Sequence, residues 1–421
     1  MPASYSRRQF LKTASAAGAA IALSAASYSR VVGANDRISL GLIGCGDRGC
    51  NAHMTGIHPF DKQENVEFTA VADPWRLARE RAAARAQEWY GRPARPFVSY
   101  RDLLALKDVD AVMIASCDHL HTTHLEAAAK AGKDAYCEKP LAMELDKLKA
   151  ACDAVKAAGR VVQVGTQLRS LPSFTGCRDL YKTGILGKVS RIEQNRNGDR
   201  PYWYAYLKDA KDADVDWREF LADRSVRPFS ADQFTGWYGY RDFSDGPVPG
   251  FGSHYIDLVH YITGARFPAS AVCHGGVSTW KDEHKFTCPD NVQATWWYPE
   301  GFVVTYSTNF GNSGGNSFKI FGDQGTLDMV NWNAPVLAAE GGSKARASSA
   351  ASSPSRTCPG PTTSSTGSSA SARARPRTPR STPATSTPWR SSWRCGPTTP
   401  AAARSTTPRS ASSARDDVAP R

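Results

Sequence analysis

The chain has 421 residues, of which 41% are apolar, and this is enough for the cores of two domains. Its net charge of +12 is concentrated at one end, where twelve arginines and two aspartates follow Lys344 and account for +10. The residues before that point carry only +2, so charge does not indicate a nucleic-acid partner for the folded part.

Residues 1–34 are typical of an export signal. "SRRQFLK" (6–12) places two arginines before the small-residue apolar run "TASAAGAAIALSAA", with cleavage sites expected near Ala26 or Ala34. The run is too short and too weakly apolar for a stable membrane span. We expect a periplasmic or otherwise exported protein that uses the twin-arginine route; the alternative is a chance pair of arginines before an Ala-rich segment.

Between residues 35 and 165, strand-like and helix-like runs alternate. Strands are predicted at 37–44, 66–73, 109–116, 133–139 and 160–165, and each of the intervals between them contains a predicted helix, the second of which begins at Pro74. Alternation of this kind predicts right-handed β-α-β units and a parallel sheet with a doubly wound, Rossmann-type topology.

The pattern changes after about residue 166. Five longer strand-like runs, "KVSRIEQNRNG", "SAVCHGGVSTW", "NVQATWWYP", "GFVVTYSTNF" and "NSFKIFGDQGTLDMV", follow one another with few helices. They predict an α+β domain with a largely antiparallel sheet over residues 166–345. Residues 346–421 form a low-complexity tail that is either disordered or translated out of frame, and the abrupt change of composition favours the second interpretation.

A nucleotide-binding motif lies at the end of the first strand. "GLIGCGDRG" gives Gly44, Gly46 and Gly49 the spacing G-x-G-x-x-G between a strand and a helix. The second strand ends at Asp73, 24 residues after the last glycine, where an acid binds the ribose 2′-hydroxyl and repels a 2′-phosphate. The motif predicts NAD as cofactor; NADP is the alternative, because Arg76 and Arg79 are close enough in sequence to meet a phosphate.

Five stretches together resemble the Gfo/Idh/MocA oxidoreductase family, which includes glucose–fructose oxidoreductase and inositol dehydrogenase. Besides the glycine motif they are "SCDHLH" (116–121), "YCEKP" (136–140), "VVQVGTQLRS" (161–170) and "GFGSHYIDLVHY" (250–261). The resemblance covers about residues 35–335, and exported members of the family also carry twin-arginine signals.

The resemblance implies roles for individual residues. Lys139 would point at the nicotinamide and at the substrate hydroxyl, before a cis peptide bond to Pro140. His254 matches the catalytic histidine, and Asp257 matches a position that contacts substrate, so that Lys139, His254 and Asp257 form the expected substrate site. The motif and the resemblance together imply that the cofactor contacts Gly44, Cys45, Gly46, Asp47, Arg48, Gly49, Asp73, Ser116, His119, His121, Glu138, Lys139 and Gln167.

One position departs from the family pattern. Family dehydrogenases usually have an aspartate four residues before the histidine, where this chain has Gly250. That aspartate helps to bind substrate and to orient the histidine, so its absence puts the sugar pose or the chemistry in question.

Oxidation of a secondary alcohol requires that a hydride leave carbon and a proton leave oxygen. A histidine such as His254 can accept the proton near neutral pH. Lys139 can donate to the same oxygen and stabilise its developing charge, and burial is expected to lower the pKa of the lysine. The alternative for Lys139 is a structural ion pair with Glu138 or another acid.

Three functions therefore remain open. The first is an NAD-dependent sugar or polyol oxidoreductase, whose cofactor must stay tightly bound because an exported protein meets no free NAD pool. The second is a glycoside hydrolase or lyase that oxidises a sugar transiently. The third is a non-catalytic sugar-binding homologue.

Further features bear on ligands and partners. The eight tyrosines and tryptophans between 202 and 243 form either a substrate wall or packing in a core or at a subunit interface. A strand-end loop accounts for His119, His121 and His124 without a metal, so no metal is expected. Cys45, Cys117 and Cys137 are expected to be free thiols in or beside core strands.

The expected partner is a small sugar or polyol. The resemblance also implies a homo-oligomer, a dimer or tetramer paired through the open sheet.

Overall fold

The protein is described here from a computed structural model, which covers residues 37–340 and 356–357. The predicted export signal at 1–34 lies outside the described residues, as does the tail at 346–421 apart from residues 356–357. Within the described part, no helix is both long and apolar enough to span a bilayer.

The first sheet is parallel throughout and confirms the predicted Rossmann topology. Its order is β3-β2-β1-β4-β5-β6, the arrangement in which the strand order reverses beside β1. The strands are β1 (Ile38–Ile43), β2 (Val66–Ala72), β3 (Arg95–Phe97), β4 (Ala111–Ile114), β5 (Asp134–Cys137) and β6 (Val162–Val164). Sequence reasoning missed β3 because it is a three-residue edge strand that contains a proline.

Helices connect these strands and cover the sheet. They are Asp47–Met54, which is wound as a π-helix, Arg76–Tyr90, Tyr100–Leu104, His121–Lys130 and Leu145–Ala158. The core joins sheet residues such as Ile43 and Ile114 to helix residues such as Leu103, Leu125 and Ala151. Because β1 and β4 are buried along almost their whole length, they appear in the sequence as continuous apolar runs.

The second sheet has eight strands among the described residues, in the order β14-β13-β12-β11-β7-β10-β9-β8. Neighbours are antiparallel except β7 and β10, which are parallel. The strands are β7 (Val189–Asn195), β8 (Ser270–Gly276), β9 (Asn291–Tyr298), β10 (Phe302–Asn309), β11 (Ser317–Gly322), β12 (Gly325–Asp328), β13 (Val336–Ala339) and β14 (Arg356–Thr357). The predicted run "NSFKIFGDQGTLDMV" is thus two strands, because a turn at 323–324 divides it.

One face of this sheet is packed and the other is open. Along β9 and β10, buried residues alternate with exposed or half-buried ones, as expected for a sheet with a single covered face. Helices Pro172–Lys182 and Ser253–Thr263 pack on the covered face, where Phe174, Leu258 and Tyr306 belong to one core. The second helix matters for function because its first turn carries His254.

The aromatic segment 202–243 lies between β7 and β8 in the chain and packs as short helices. These are Tyr202–Tyr206, Asp212–Asp214, Trp217–Leu221, Ala231–Thr235 and Trp237–Gly239. The segment joins the first domain through backbone pairing of Trp75 with Val215. Trp203 and Trp217 are buried in a core, whereas Tyr202 and Tyr238 line a cleft, so the substrate wall stays a prediction for the second pair.

Candidate functional site

A cleft of about 330 Å³ opens beside the carboxyl end of β1, next to β4. Ligands of open α/β sheets bind at this point, where the strand order reverses. Of the fifteen residues predicted for the site, eleven line the cleft. The four that do not line it are Cys45, Gly49, His119 and Asp257.

The three glycines of the motif are required for three different reasons. Gly44 has a φ of +92°, and a Cβ there would lie 2.5 Å from the Ser116 backbone nitrogen. A Cβ on Gly49 would lie 1.9 Å from the Gly44 carbonyl oxygen, so Gly49 lets the helix pack against the turn. A Cβ on Gly46 would meet nothing within 4 Å, so Gly46 instead keeps its backbone open towards the cleft.

Asp73 fastens the glycine turn to the end of β2. One carboxylate oxygen accepts from the Cys45 N–H at 2.6 Å and the other from the Trp75 N–H at 2.7 Å. Burial raises the pKa of Asp73 to about 6, although these backbone N–H groups act in the opposite direction. Cys45 itself is a buried free thiol behind the turn.

The two arginines that kept NADP as an alternative cofactor, Arg76 and Arg79, have partners within the protein. Arg76 is bonded to the carboxylates of Glu80 and Asp214, and Arg79 donates to the backbone carbonyl of Asp73. Neither guanidinium is therefore held ready for a 2′-phosphate.

Glu138 is the most heavily bonded carboxylate of the cleft. It accepts from Arg48 Nε at 2.6 Å and from the Lys139 N–H at 3.1 Å, and it lies 2.9 Å from His53 Nε2. Burial alone would raise the pKa of Glu138, but the His53 hydrogen bond and the Arg48 charge outweigh it and lower the pKa to about 2. Glu138 is therefore a fixed anion that positions Arg48.

Two further predicted cofactor residues also have partners within the protein. With its side-chain amide oriented to match its neighbours, Gln167 accepts from Arg48 Nη2 at 3.1 Å and donates to the Gly165 carbonyl at 2.6 Å. Asp47, at the first turn of the helix after the glycines, forms an ion pair with Lys208 at 3.1 Å. Arg48 is thus held between Glu138 and Gln167 at the floor of the cleft.

Lys139 extends from the end of β5 across the cleft to the second domain. Its Nζ donates to the Gly250 carbonyl oxygen at 2.9 Å, and the Lys139–Pro140 peptide bond is cis. Burial lowers the pKa of the lysine, against the charges of Asp118 and Glu138. No ion pair of Nζ within 4 Å is found among the described residues, and the bond to Gly250 places the ammonium group beside the residue one helical turn before His254.

His254 lies in the first turn of helix Ser253–Thr263 and is only 9% exposed. Its Nδ1 is buried and has no hydrogen-bond partner among the described residues. Burial, followed by the nearby charge of Lys139, lowers the pKa of His254 to about 4. The ring is therefore neutral at physiological pH and can accept a proton.

The predicted cofactor residues His119 and His121, and His124 beside them, are bonded to protein groups. His121 is held between two backbone carbonyls, of Pro140 at 2.7 Å and of Ser116 at 2.9 Å, and so ties the Lys139–Pro140 turn to the end of β4. His119 faces away from the cleft, where Nε2 contacts the Phe220 carbonyl at 2.8 Å. His124 contacts the Ser116 hydroxyl at 3.0 Å.

Asp257 is engaged elsewhere. Its carboxylate forms a two-pronged ion pair with Arg169, with Arg169 Nε at 2.8 Å from one oxygen. Because it does not line the cleft, its assignment to substrate stays a prediction without a supporting contact.

Asp118 and Tyr202 are among the cleft residues that the sequence did not assign to the site. Asp118 is 2% exposed, lines the cleft and accepts from the Ser244 hydroxyl at 2.8 Å. Burial raises the pKa of Asp118 to about 7, and Lys139 is the nearby charge that opposes this most. The sequence signal that could have identified Asp118 is its position inside "SCDHLH", directly after β4. Tyr202 also lines the cleft, but the sequence showed it only as one of many aromatic residues.

The described residues contain no group of three or more His, Cys, Asp or Glu side chains that could hold a metal ion. They do fit a dinucleotide. Gly46 leaves open space where a phosphate can approach the helix start, whose N-cap has no side-chain hydrogen bond, and the buried Asp73 lies at the strand end where a ribose binds.

Comparison with known proteins agrees with this geometry. Residues 38–166 match the Gfo/Idh/MocA family model described as an oxidoreductase family with an NAD-binding Rossmann fold. Residues 218–328 match the Gfo/Idh/MocA C-terminal domain, and residues 4–24 match a twin-arginine translocation signal. The two domain models together cover more than half of the chain.

Individual relatives match over shorter stretches. Inositol 2-dehydrogenase 3 of Saccharopolyspora erythraea is 33% identical over 38% of this chain and 47% of its own length. Glycosyl hydrolase family 109 protein 2 of Shewanella sp. (strain ANA-3) is 34% identical over 34% of this chain and 35% of its own. The chain thus covers less than half the length of these curated relatives.

Solved structures show the same fold over more of the chain. A levoglucosan dehydrogenase in complex with NADH and levoglucosan superposes with a TM-score of 0.56 at 22% identity, covering 74% of this chain and 78% of that one. At this level of identity the likeness is one of fold.

Proposed function

The chain belongs to the Gfo/Idh/MocA oxidoreductase family, and on that premise we propose that it oxidises a hydroxyl of a sugar or polyol by hydride transfer to NAD. The observation that carries the proposal is the meeting of Lys139 and His254 in one cleft with the glycine turn and Asp73. A cation and a neutral base beside a nicotinamide site are the groups that alcohol oxidation requires.

The cofactor, when bound, would accept the hydride from the alcohol carbon. The protein must handle the oxygen and its proton. Lys139 donates to that oxygen and stabilises the negative charge that develops on it. At present its Nζ is bonded to the Gly250 carbonyl, so a substrate hydroxyl that reaches the ammonium would share it with that carbonyl.

His254 takes the proton in this proposal. Its ring is neutral at pH 7 because burial and the charge of Lys139 lower its pKa to about 4. Since Nδ1 has no partner among the described residues, no carboxylate holds the ring in one orientation, as the missing aspartate at position 250 would have done. We propose that Lys139 and His254 suffice.

Cofactor choice follows from the same cleft. We propose NAD rather than NADP, because Asp73 would repel a 2′-phosphate and both neighbouring arginines are already bonded. The twin-arginine signal indicates export of a folded protein, so we propose that NAD is bound before export and retained in the periplasm or other exported location.

The proposed division of the chain remains that of the sequence: a signal at 1–34, an NAD-binding domain at 35–165, an α+β domain at 166–345 and a tail at 346–421. The first sheet and the family segment at 38–166 support the boundary near residue 165, whereas strand β14 (Arg356–Thr357) of the second sheet lies beyond the proposed end at 345. We also propose a homo-oligomer that pairs through the open face of the second sheet, where β8 is exposed along its whole length.

Purification of the exported protein tests the function. We expect NAD to be present in the denatured, filtered extract, and at least one sugar or polyol of a panel to generate NADH absorbance at 340 nm. A protein without NAD that also fails to form NADH when NAD is added would contradict the proposal.

The glycoside-cleaving alternative is favoured by one specific finding, the 34% identity to a protein named as a glycosyl hydrolase. It predicts cleavage of a glycoside without net NADH formation. The same panel distinguishes the two functions when chromatography of the products is added to the absorbance measurement.

A further inference from the structure

Position 250 has no side chain, and the space that one would fill is already taken. A Cβ built on Gly250 would lie 2.7 Å from the Tyr202 hydroxyl oxygen, too close for any real contact, and 3.8 Å from the ring carbon that bears the hydroxyl. Gly250 therefore accommodates this phenol in the cleft wall, and the obstruction comes from its oxygen atom alone.

The ring of Tyr202 is held from several directions. It makes edge-to-face contacts with Tyr238 at 5.3 Å, Phe251 at 5.0 Å and Phe310 at 5.7 Å between ring centroids. These three partners come from different segments of the second domain, and such contacts fix a ring in place. The position of the hydroxyl is consequently determined by packing before any ligand arrives.

The hydroxyl nevertheless has no hydrogen-bond partner among the described residues, although its oxygen is buried. A buried polar atom without a partner costs about 1–3 kcal/mol, and a phenylalanine would make the same ring contacts without that cost. Packing alone thus does not explain a tyrosine at this position. A ligand in the cleft would explain it, because Tyr202 lines the same cavity as Lys139 and His254.

We propose that the Tyr202 hydroxyl is a substrate-binding group that donates a hydrogen bond to a neutral sugar or polyol hydroxyl. The Tyr202 hydroxyl occupies the space that a side chain at position 250 would otherwise fill. The inference rests on the proposed function for the identity of the ligand. Burial raises the pKa of Tyr202 well above its usual range, so the phenol stays a proton donor at every pH at which the protein works.

The test is ligand binding by calorimetry to the NAD-loaded protein, with the polyol panel as probe. Tyr202→Phe removes only the hydroxyl and should weaken binding of the best polyol roughly 2- to 12-fold, the range for one neutral hydrogen bond. The matched control is Tyr204→Phe, which removes a hydroxyl that donates to Asp282 and does not line the cleft. Its ligand affinity should equal that of the wild type.

A second pair of variants tests the steric conflict between a side chain at position 250 and the Tyr202 hydroxyl, independently of catalysis. Gly250→Ala should weaken polyol binding in the wild-type background, because the new methyl group displaces the Tyr202 hydroxyl. In the Tyr202→Phe background, Gly250→Ala should add no further loss, because the nearest ring atom lies 3.8 Å away. Thermal unfolding of the same four proteins should show the same non-additivity.

The outcomes separate this inference from the proposed function. Polyol binding that Tyr202→Phe leaves unchanged overturns the inference, even if NADH forms. Binding that Tyr202→Phe weakens supports the inference, even if no polyol is oxidised and the proposed function fails. A wild-type protein that binds no polyol in the panel overturns the inference as well.

Discussion

The two halves of the cleft differ in how their polar groups are satisfied. In the nucleotide half, Asp73 accepts through both carboxylate oxygens and Glu138 is held by Arg48 and His53. In the reacting half, the Tyr202 hydroxyl and His254 Nδ1 are buried without partners among the described residues. The carboxylates of the nucleotide half are thus held by the protein's own bonds, although Trp75 Nε1 in that half also lacks a partner among the described residues. The two unpartnered atoms of the reacting half, by contrast, leave bonds for a ligand to complete.

This difference follows from where the residues come from in the chain. The nucleotide half is assembled by strand ends and tight turns, whose demands are local and visible as glycines and an acid at fixed spacing. The reacting half joins a strand end to helix Ser253–Thr263 and to the segment at 202–206, more than 60 residues from the strand. Its geometry therefore depends on how the two domains pack.

The largest expected effect is the loss of the cation in the reacting half. Lys139→Met should lower kcat by about 10²–10³-fold, because the developing charge on oxygen loses its donor. NAD affinity should stay within about twofold, because the nucleotide half keeps its contacts. Steady-state NADH formation and NAD titration by tryptophan fluorescence measure the two effects.

Lys208→Met is the control for this variant, since Lys208 also lines the cleft but pairs with Asp47 at the nucleotide side. We expect it to change NAD affinity more than kcat. If Lys139→Met released NAD and left kcat unchanged, the division of the cleft into two halves would be wrong.

A pair of alanine substitutions tests whether the nucleotide half is shaped by internal contacts. Gly49→Ala should destabilise the protein by about 3 kcal/mol or more even without NAD, because the methyl group would overlap the Gly44 carbonyl. Gly46→Ala should leave unfolding without NAD nearly unchanged, because its methyl group meets nothing within 4 Å. It should instead weaken NAD binding at least about tenfold, by filling the space for the phosphates.

Urea unfolding without cofactor and calorimetric titration with NAD measure this contrast. Equal stability losses in the two variants would show that Gly46 is also required by packing and would contradict its assignment as an open phosphate cradle.

The sequence was sufficient for most of the fold but for less of the site. The parallel sheet was visible because buried strands such as β1 and β4 are continuous apolar runs, and the glycine turn follows from its spacing. Short edge strand β3 was missed, because three residues around a proline carry no pattern. Asp118 was missed as a site residue, and Tyr202 was offered only as one of eight members of a substrate wall or a core. The reason is that their positions depend on what surrounds them after folding, namely a buried setting beside Lys139 and a glycine at position 250.

Asp118 provides a smaller effect with a defined pH dependence. Asp118→Asn should lower kcat/KM roughly tenfold, because the carboxylate that helps to keep Lys139 protonated is lost. Asp245→Asn is the control, since Asp245 is half-buried nearby but does not line the cleft. An unchanged kcat/KM for Asp118→Asn would show that Glu138 alone holds the lysine charged.

The same variant should change stability with pH. Burial raises the pKa of Asp118 from its usual 3.8 to about 7. Between pH 3.8 and pH 7, Asp118 is therefore protonated in the folded protein and ionised in the unfolded chain. The stabilising contribution is full below pH 3.8 and is lost as pH rises to 7. The Tm of Asp118→Asn relative to the wild type should therefore rise between pH 4 and 7 and level off above pH 7.

The smallest expected effect concerns Asp257, which the sequence assigned to substrate and the structure pairs with Arg169. If its carboxylate serves that pair, Asp257→Asn should change KM for the best polyol by less than about twofold, while removing roughly 1 kcal/mol of stability. Arg169→Gln should have the same effect, and the double variant should cost less than the sum of the two, because either substitution already breaks the pair. A tenfold rise in KM for Asp257→Asn alone would instead place Asp257 in contact with substrate. That result would extend the reacting half of the cleft one turn further along helix Ser253–Thr263.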